Sequence, residues 1–274
     1  FKPDLILITS LFTYWSGRVW DTVNYYRTLF PSAEIMIGGI YATLHHNRDD
    51  FKEKINSNKA KAHIGVHPEA ERFYPDYSLL SGEDPGYHLT HATRGCIRRC
   101  AFCGTWRIEP EFIHKTTSKL VNEIQEIGRR NVIFLDNNFF ANPDVKQLLN
   151  ALSEIRINSK PVQYESQSGF DGRLIEKDPE LAVLLKKARF KNVRIAWDNL
   201  VSDAPAIKKQ IDILKKVGYK AKDLSIFMIY NFLTPYEDMM KKLDYCKKWG
   251  VQIIDCRYRP LESTSDKYSP QARR

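Results

Sequence analysis

The chain carries at residues 93–103 the stretch Thr93-Arg94-Gly95-Cys96-Ile97-Arg98-Arg99-Cys100-Ala101-Phe102-Cys103. Its three thiols follow the spacing Cys-x3-Cys-x2-Cys, so that one short loop can wrap one inorganic centre. Thiolates prefer soft centres, namely iron–sulfur clusters, zinc or copper(I). Three protein ligands leave one iron of a cubane cluster open, and an open metal position does chemistry where a closed site is structural. The stretch therefore predicts a reactive metal centre.

This spacing, with the aromatic Phe102 directly before the third cysteine, resembles the cluster motif of the radical S-adenosylmethionine (SAM) superfamily. The resemblance implies a [4Fe–4S] cluster held by Cys96, Cys100 and Cys103. It also implies that Phe102 lies against the cluster and the adenine end of SAM. A motif of this kind is a hypothesis until the surrounding sequence supplies the matching fold.

Two other uses of the cysteines are a disulfide framework and a zinc site. Five cysteines in 274 residues are sparse and odd in number, which argues against disulfides. A Cys3His zinc site stays open, because His91 and His114 flank the triplet. Of the other thiols, we expect Cys246 to be a small buried side chain in a helix. Cys256 follows a strand, where it is suited to face a site, but core packing is the expected role.

The composition is typical of a globular protein, with 43% hydrophobic and 27% charged residues. The sequence has no apolar run long enough to span a membrane, so we expect no membrane partner. No secretory leader is recognisable, and we expect the reducing cytoplasm, which also suits an oxygen-sensitive cluster. Because the sequence begins with Phe1 and stops in a polar stretch, we expect it to be a piece of a longer chain.

The net charge of +9 is compatible with a nucleic-acid partner. The basic residues are dispersed, however, and many occur as pairs such as Lys215-Lys216 and Lys241-Lys242. We interpret these pairs as the solvated faces of helices. A nucleic-acid partner stays open, because charge alone does not establish one.

The first segment reads as strand, helix and strand, with apolar runs over 4–9 and 33–37. Buried runs that alternate with helices predict a parallel, doubly wound sheet. Ligands bind such sheets at the carboxyl ends of the strands, where Ser10, Gly38 and Gly39 fall. Glycine permits close approach of the backbone to a ligand, and it equally suits a tight turn. We predict a Rossmann-like domain over 1–72.

A resemblance to the nucleotide-loop half of the cobalamin-binding domain, which often precedes a radical SAM barrel, lies in Ser10-Leu11 and, after a spacer, Gly38-Gly39. The end of that domain resembles the run Gly65-Val66-His67-Pro68-Glu69-Ala70-Glu71. The resemblance implies that Ser10, Gly38 and Gly39 contribute to a cofactor site. The Asp-x-His-x-x-Gly motif, which supplies the lower cobalt ligand, is absent from this sequence. Cobalamin is therefore an open prediction.

The composition shifts to Pro, Asp, Ser and Gly over 73–86, which predicts an interdomain linker. Beyond it, six β/α units match the partial barrel of the radical SAM core. We predict an α/β protein with a partial (β/α)6 radical SAM barrel over 87–274, preceded by part of a doubly wound Rossmann-like cobalamin-binding-type domain. The predicted strands are 87–92, 131–136, 162–168, 192–197, 224–230 and 251–256. The predicted helices are near 118–130, 143–157, 179–188, 204–217 and 235–249.

In parallel α/β barrels the active site lies at the carboxyl ends of the strands. The second predicted strand ends in Asp136-Asn137-Asn138, three polar residues beside an aromatic one. This position resembles the superfamily segment that holds the amino group of SAM, although the Gly-Gly-Glu form is absent. A turn with local side-chain hydrogen bonds would use the same residue types. We predict Asp136, Asn137 and Asn138 as SAM contacts.

Residues at later strand ends complete the predicted SAM site. In relatives the third strand contacts the ribose or carboxylate of SAM, so the resemblance implies Ser166 or Gln167, in a register that sequence does not fix. Asp198, after the fourth strand, is suited to receive a ribose hydroxyl or to cap the next helix. Met228, in the fifth strand, is expected near the adenine, although core packing is the commoner role of such a residue.

The resemblance implies an enzyme in which the open iron binds SAM and the reduced cluster cleaves it to methionine and a 5′-deoxyadenosyl radical. The expected partner is a reductase such as flavodoxin or ferredoxin, which supplies the electron. Cobalamin in the first domain would direct the outcome towards methyl transfer. The substrate and any catalytic side chain stay unassigned. Two other classes stay open, a zinc- or cluster-bearing nucleic-acid-binding module and a catalytically silent radical SAM scaffold.

Overall fold

The computed structural model describes residues 2–80, 82–198 and 200–266. They divide into two compact units. Unit 1 takes its described residues from 1–73, 98–110 and 259–273, and unit 2 takes them from 74–97 and 111–258. The predicted domain boundaries, with domains over 1–72 and 87–274 and a linker over 73–86, stay a prediction.

The parallel sheet of unit 1 contains β1 (Leu5–Ser10), β2 (Glu34–Gly38) and β3 (Lys61–Ala62), in that order. Leu7 pairs with Met36, and Met36 pairs with Lys61. The predicted order of strand, helix and strand in a parallel sheet is confirmed. The helices of unit 1 are α1 (Ser16–Leu29), α2 (Gly39–His45), α3 (Asp49–Ser57) and α4 (Thr105–Ile108).

The core of unit 1 forms where these helices cover the sheet. Ile35 and Ile37 alternate along β2 and are fully buried, which is the period expected of a strand with a covered face. Three aromatic rings from α1, α2 and α3 pack edge to face, and Trp20 Nε1 donates to Tyr41 OH at 3.0 Å. The third ring belongs to Phe51, which is 2% exposed.

Two segments distant in sequence belong to unit 1. Leu261 lies against Gly104, since a Cβ added there would meet its side chain at 3.4 Å. The buried His45 ring hydrogen-bonds through Nε2 to Leu261 O at 2.8 Å, and Ser16 Oγ donates to Thr264 O at 2.8 Å. The residues after the last strand of the chain therefore return to α1 and α2.

The turn from β2 into α2, which packs against the end of β1, explains the Gly38-Gly39 pair in conformational terms. Gly39 has φ +82°, and a Cβ there would lie 2.6 Å from both Ser10 O and Thr9 Oγ1. Ser10 Oγ accepts a hydrogen bond from Tyr41 N at 3.1 Å, which satisfies one N–H group in the first turn of α2. Ser10 and Gly39 thus fix the crossing of strand and helix.

Among the described residues, unit 2 contains six parallel barrel strands. They form two three-stranded sheets, and the bridging pairs Tyr164↔Phe190 and Phe170↔Ile195 join the third strand region to the fourth. The predicted partial (β/α)6 barrel is confirmed. The strands are β4 (His88–Thr90), β5 (Asn131–Phe134), β6 (Gln163–Ser166), β7 (Val193–Ala196), β8 (Leu224–Tyr230) and β9 (Gln252–Arg257).

Helices follow the barrel strands at the five predicted places, and a sixth, Gly172–Lys177, was not predicted. Thr116 caps the first of them by accepting from Lys119 N at 3.3 Å, and Gly128 ends it at φ +70°. No helix in the described ranges is both long and apolar enough to cross a bilayer. The helices are α5 (Thr117–Ile127), α6 (Val145–Glu154), α7 (Gly172–Lys177), α8 (Glu180–Lys187), α9 (Ala204–Lys216) and α10 (Tyr236–Trp249).

The core of unit 2 lies between the strands and these helices. Phe134, Phe139 and Phe190 form an aromatic cluster with ring centroids 5.1–5.7 Å apart. Tyr164 joins the cluster and its hydroxyl donates to Leu152 O at 2.9 Å, so that its polar end is satisfied. This cluster packs β5 and β6 against α6.

We predict that Gly39→Ala destabilises unit 1 by more than about 2 kcal/mol, because it forces an alanine to positive φ and places a Cβ against backbone. The matched control is Gly17→Ala, since Gly17 lies in α1 with nothing within 4 Å of its Cβ direction. That control should be neutral or stabilise by up to about 1 kcal/mol. Urea unfolding measures both, and equal midpoints for the two variants would contradict the described turn.

Candidate functional site

A short antiparallel ladder between residues 93–94 and 113–114 closes the base of the cysteine loop where it leaves the first barrel strand, and we call this ladder the neck. Thr93–Arg94 pairs antiparallel with Ile113–His114, with Thr93 opposite His114. One residue nearer the barrel, Lys115 N donates to Ala92 O at 2.9 Å. The neck belongs to unit 2, as does Cys96, whereas residues 98–110 belong to unit 1.

The carboxylate of Asp136 holds this neck to the end of β5. Asp136 is fully buried, and it accepts from Thr93 N at 2.6 Å and from Ala92 N at 3.0 Å. Thr93 Oγ1 donates to the same carboxylate at 2.7 Å. Burial raises the pKa of Asp136 to about 6, against the opposing effect of these hydrogen bonds. The structure gives Asp136 a positioning role, and its predicted contact with SAM stays a prediction.

Asn138 lies beside the first cysteine of the triplet and is 4% exposed. Its Nδ2 donates to Cys96 Sγ at 3.8 Å and to Asp171 Oδ2 at 3.4 Å. Its Oδ1 is buried without a hydrogen-bond partner in the described part of the chain. An unsatisfied buried acceptor is costly, which makes this oxygen a candidate for binding a ligand that carries a hydrogen-bond donor.

Hydrogen-bond donors surround the third cysteine. Thr105 N donates to Cys103 Sγ at 3.5 Å, and the Cys103 thiol donates to Thr105 Oγ1 at 3.2 Å. As a thiolate, the same sulfur would accept from both groups. Cys100 O accepts from Trp106 Nε1 at 3.4 Å, which fixes the loop backbone. The three thiols of the triplet are partly buried and form no disulfide.

Several other predicted SAM contacts differ in exposure. Asn137 and Gln167 are exposed, and Phe102 is half-buried. Ser166 is buried and its Oγ donates to Gly169 O at 3.0 Å. Met228 is fully buried in the core of unit 2. Their contacts with SAM stay predictions.

Asp198 follows β7 at the strand ends of unit 2. Burial raises its pKa to about 6, while the charges of Lys242 and Arg173 lower it. Arg173 is in turn held by Asp171, whose Oδ1 accepts from Arg173 Nε at 2.8 Å. Hydrogen bonds thus link Cys96, Asn138, Asp171 and Arg173, which follow the first three barrel strands. The charges of Arg173 and of Lys242 on α10 act on Asp198, which follows the fourth strand. We refer to these six residues as the connected polar group.

A buried charged cluster that sequence reasoning missed lies behind the neck. Glu123 accepts from Lys115 Nζ at 2.8 Å and from Thr90 Oγ1 at 2.6 Å. Its Oε1 also lies 3.1 Å from His88 Nε2, and His88 is fully buried. Burial alone would raise the pKa of Glu123, but hydrogen bonds from His88, Lys115 and Thr90 outweigh it and lower the pKa to about 2.

One sequence signal could have found these groups, namely a charged residue inside an apolar helical stripe. Glu123 stands between Leu120 and Ile124 on α5, and both of these neighbours are fully buried. Lys242 has the same placement on α10, between the partly buried Met239 and Leu243. A charge at such a position has to find partners inside the fold.

The remaining cysteines and the flanking histidines bear on the alternative readings. Cys246 is buried as predicted, whereas Cys256, expected in the core, is exposed. Within the described ranges, no three His, Cys, Asp or Glu side chains converge around a position for a single metal ion. This holds for the cysteine triplet and for His91 and His114 alike, so it favours neither the cluster nor the zinc alternative.

The sequence profile of the Radical SAM superfamily matches residues 90–252, which is more than half of the 274 residues. The chain belongs to the radical SAM superfamily. The match runs from the end of β4 to the start of β9 and so covers the cysteine loop and the connected polar group. No curated protein matches the sequence. Membership implies a [4Fe–4S] cluster, SAM and a SAM-cleaving activity.

The solved structures that share the fold include two of one enzyme. The apo form of the cobalamin-dependent S-adenosylmethionine radical enzyme OxsB superposes with a TM-score of 0.59 at 11% identity, over 89% of this chain and 43% of that one. OxsB with aqua-cobalamin bound gives a TM-score of 0.59 at 11% identity, over 89% of this chain and 44% of that one. The radical SAM chain described here therefore spans less than half the length of these structures.

We predict that the free energy of unfolding falls as the pH drops from about 5 towards 2, in part because Glu123 must then be protonated. The pKa of Glu123 in the fold, about 2, lies below the ordinary glutamate value of 4.5. Its stabilisation is therefore present above pH 4.5 and is lost on acidification. Glu123→Gln should flatten this part of the pH profile and, at neutral pH, cost about 1–3 kcal/mol.

The matched control for this experiment is Glu126→Gln, an exposed carboxylate on the same helix. Urea unfolding across the acidic range compares the three proteins. A Glu123→Gln profile that follows the wild type and the control would show that the buried cluster does not contribute as described.

Proposed function

We propose that this chain carries the SAM-cleaving centre of a radical SAM enzyme, in which Cys96, Cys100 and Cys103 hold the [4Fe–4S] cluster. The observation that supports it most is the Asn138 carboxamide, buried between Cys96 and Asp171 with an unsatisfied oxygen. Such an acceptor beside a ligand sulfur suits the ammonium group of a SAM molecule bound to the cluster.

The donor set suits an iron–sulfur cluster. Thiolates are the ligands of such clusters, and hydrogen bonds to their sulfurs tune the reduction potential. Asn138 Nδ2 at Cys96 and Thr105 N–H at Cys103 supply donors of this kind. When bound, the reduced cluster and SAM supply the electron transfer that splits SAM into methionine and a 5′-deoxyadenosyl radical.

The chain's own residues bind SAM and orient the cysteine loop. Asp136 fixes the neck from which the cysteines extend, and Asn138 Oδ1 accepts from the SAM ammonium. Asp198 accepts from the ribose hydroxyls, and the charges of Lys242 and Arg173 act on it. Phe102, Asn137, Ser166, Gln167 and Met228 are further proposed contacts of SAM, as the superfamily resemblance implies. The substrate and the reaction product stay open.

We also propose that the electron comes from a reductase such as flavodoxin or ferredoxin. A single low-potential electron must reach the cluster in each SAM cleavage, and an electron-transfer protein is the proposed source. The net charge of +9 would favour an acidic donor protein by electrostatic steering. The reducing cytoplasm is the compartment that suits such chemistry.

We predict that the anaerobically reconstituted protein releases 5′-deoxyadenosine from SAM when dithionite is added. Cys100→Ala should reduce the yield to background, because the cluster loses one of its three ligands. The control is Cys246→Ala, a buried thiol outside the triplet, which should retain the activity. Chromatography of the nucleoside product measures all three proteins.

Two results would contradict the proposal. A colourless protein that carries one zinc ion and releases no 5′-deoxyadenosine would favour the binding module. A protein that holds the cluster but neither binds nor cleaves SAM would favour the silent scaffold.

A second candidate function adds cobalamin-dependent methyl transfer. It is supported by the fold shared with OxsB, which is a cobalamin-dependent enzyme, and by the parallel sheet of unit 1. The proposed cofactor edge is the carboxyl end of β1 and β2, at Ser10, Gly38 and Gly39. Ser10 and Gly39 already satisfy the turn into α2, so a cofactor would meet their backbone and not a free side chain.

We predict that the protein retains hydroxocobalamin through gel filtration, with the absorption bands of the corrin coeluting with the chain. Retention is expected because unit 1 keeps the sheet edge of the cobalamin-binding-type fold. Loss of the corrin from the protein peak would remove the methyl-transfer proposal, whereas 5′-deoxyadenosine formation would still stand.

A further inference from the structure

Lys242 is fully buried on α10, whereas the side chain of its neighbour Lys241 is 61% exposed. The interpretation of this lysine pair as a solvated face is therefore wrong for Lys242. An ammonium group inside a protein is costly unless it is paired. Its position between Met239 and Leu243 would suit an apolar side chain equally well.

The ammonium of Lys242 contacts Trp197, the residue that directly follows β7. Lys242 Nζ donates to Trp197 O at 3.2 Å and lies 5.4 Å from the centroid of the Trp197 ring. The Trp197 indole is held on its other side by Leu200 O, which accepts from Nε1 at 3.0 Å, and it stacks on Trp249. The residue before Asp198 is therefore fixed by contacts on several sides.

The charges around this pair can be named element by element. Lys242 faces acidic groups of which Asp198 acts most strongly, followed by Asp203 and Asp238 and then by Cys246. Asp198 faces Lys242 from α10 and Arg173 from α7, and the Cys256 thiol of β9 senses its charge. The charges of both cations thus act on the Asp198 carboxylate.

We propose that Lys242 is a positioning residue for nucleoside binding. Its ammonium holds the Trp197 carbonyl and the Asp198 carboxylate at the end of β7, so that Asp198 accepts hydrogen bonds from both hydroxyls of a ribose. The inference rests on the proposed function, since the nucleoside is that of SAM. Methionine, which is apolar and of similar length, would fill the same place, so packing alone does not require lysine.

The positioning has a consequence for pH. Burial already raises the pKa of Asp198 to about 6, and Lys242 is the stronger of the two charges that oppose this rise. Removing the ammonium raises that pKa further, so Asp198 becomes protonated at a higher pH. A protonated carboxyl is a poorer acceptor for two hydroxyls, and nucleoside affinity should then fall with decreasing pH earlier than in the wild type.

The test is equilibrium binding of 5′-deoxyadenosine and 2′,5′-dideoxyadenosine to the reconstituted protein, from about pH 5 to about pH 9. Lys242→Met should keep the fold and the iron content, and should weaken binding of 5′-deoxyadenosine about tenfold at neutral pH. The ratio of the affinities for 5′-deoxyadenosine and 2′,5′-dideoxyadenosine, which measures the preference for both hydroxyls, should also decrease. Lys242→Arg should restore part of that preference, and Lys241→Met, the matched control, should match the wild type.

Unchanged affinity, preference and pH profile in Lys242→Met would overturn the proposal. If that variant does not fold, Asp198→Asn takes its place. It should lose the preference for the nucleoside with both hydroxyls and the decrease in affinity at acidic pH. An Asp198→Asn protein that keeps both properties would overturn the proposal equally. Wild-type protein that binds neither SAM nor the nucleosides would overturn the proposed function as well. Wild-type binding with an unaffected Lys242→Met variant overturns the role of Lys242 alone.

Discussion

Two backbone N–H groups just after the first barrel strand donate to one buried carboxylate, that of Asp136, which follows the second barrel strand. A buried N–H without an acceptor is costly, so this carboxylate determines where the cysteine loop leaves the barrel. The short ladder between Thr93–Arg94 and Ile113–His114 then brings the chain back. The start of the loop that bears the triplet thus depends on a residue that is not itself a proposed ligand of the cluster.

Buried charge is concentrated around the same strand ends. The ion pair between Glu123 and Lys115 joins the neck to α5, and the charge of Lys242 on α10 acts on Asp198. Apolar side chains would fill these positions at lower electrostatic cost. Local rules of sequence and packing are violated most readily where a site must be held in place, which fits the position of both groups beside the proposed SAM site.

The fold was predictable because its signals are local. Apolar runs separated by helical patterns predict six strands in chain order, and their parallel pairing follows from that alternation. Helix α7 escaped prediction because it has six residues and starts at Gly172, which is too short for a period to emerge. Burial of Lys242 and exposure of Cys256 escaped for another reason, since they depend on contacts between distant segments. The Cys spacing indicated the cofactor, but sequence cannot show that Asn138 Oδ1 lacks a partner.

The most direct test is electron paramagnetic resonance of the reduced, reconstituted protein before and after addition of SAM, combined with iron analysis. A SAM-binding [4Fe–4S] centre predicts about four irons per chain and a signal that changes when SAM is added, because an iron without a protein ligand gains one. The same change should be diminished in Asn138→Ala, which removes the proposed acceptor for the ammonium group. A spectrum that SAM leaves unaltered, or a protein that binds zinc in place of iron, would contradict the proposed centre.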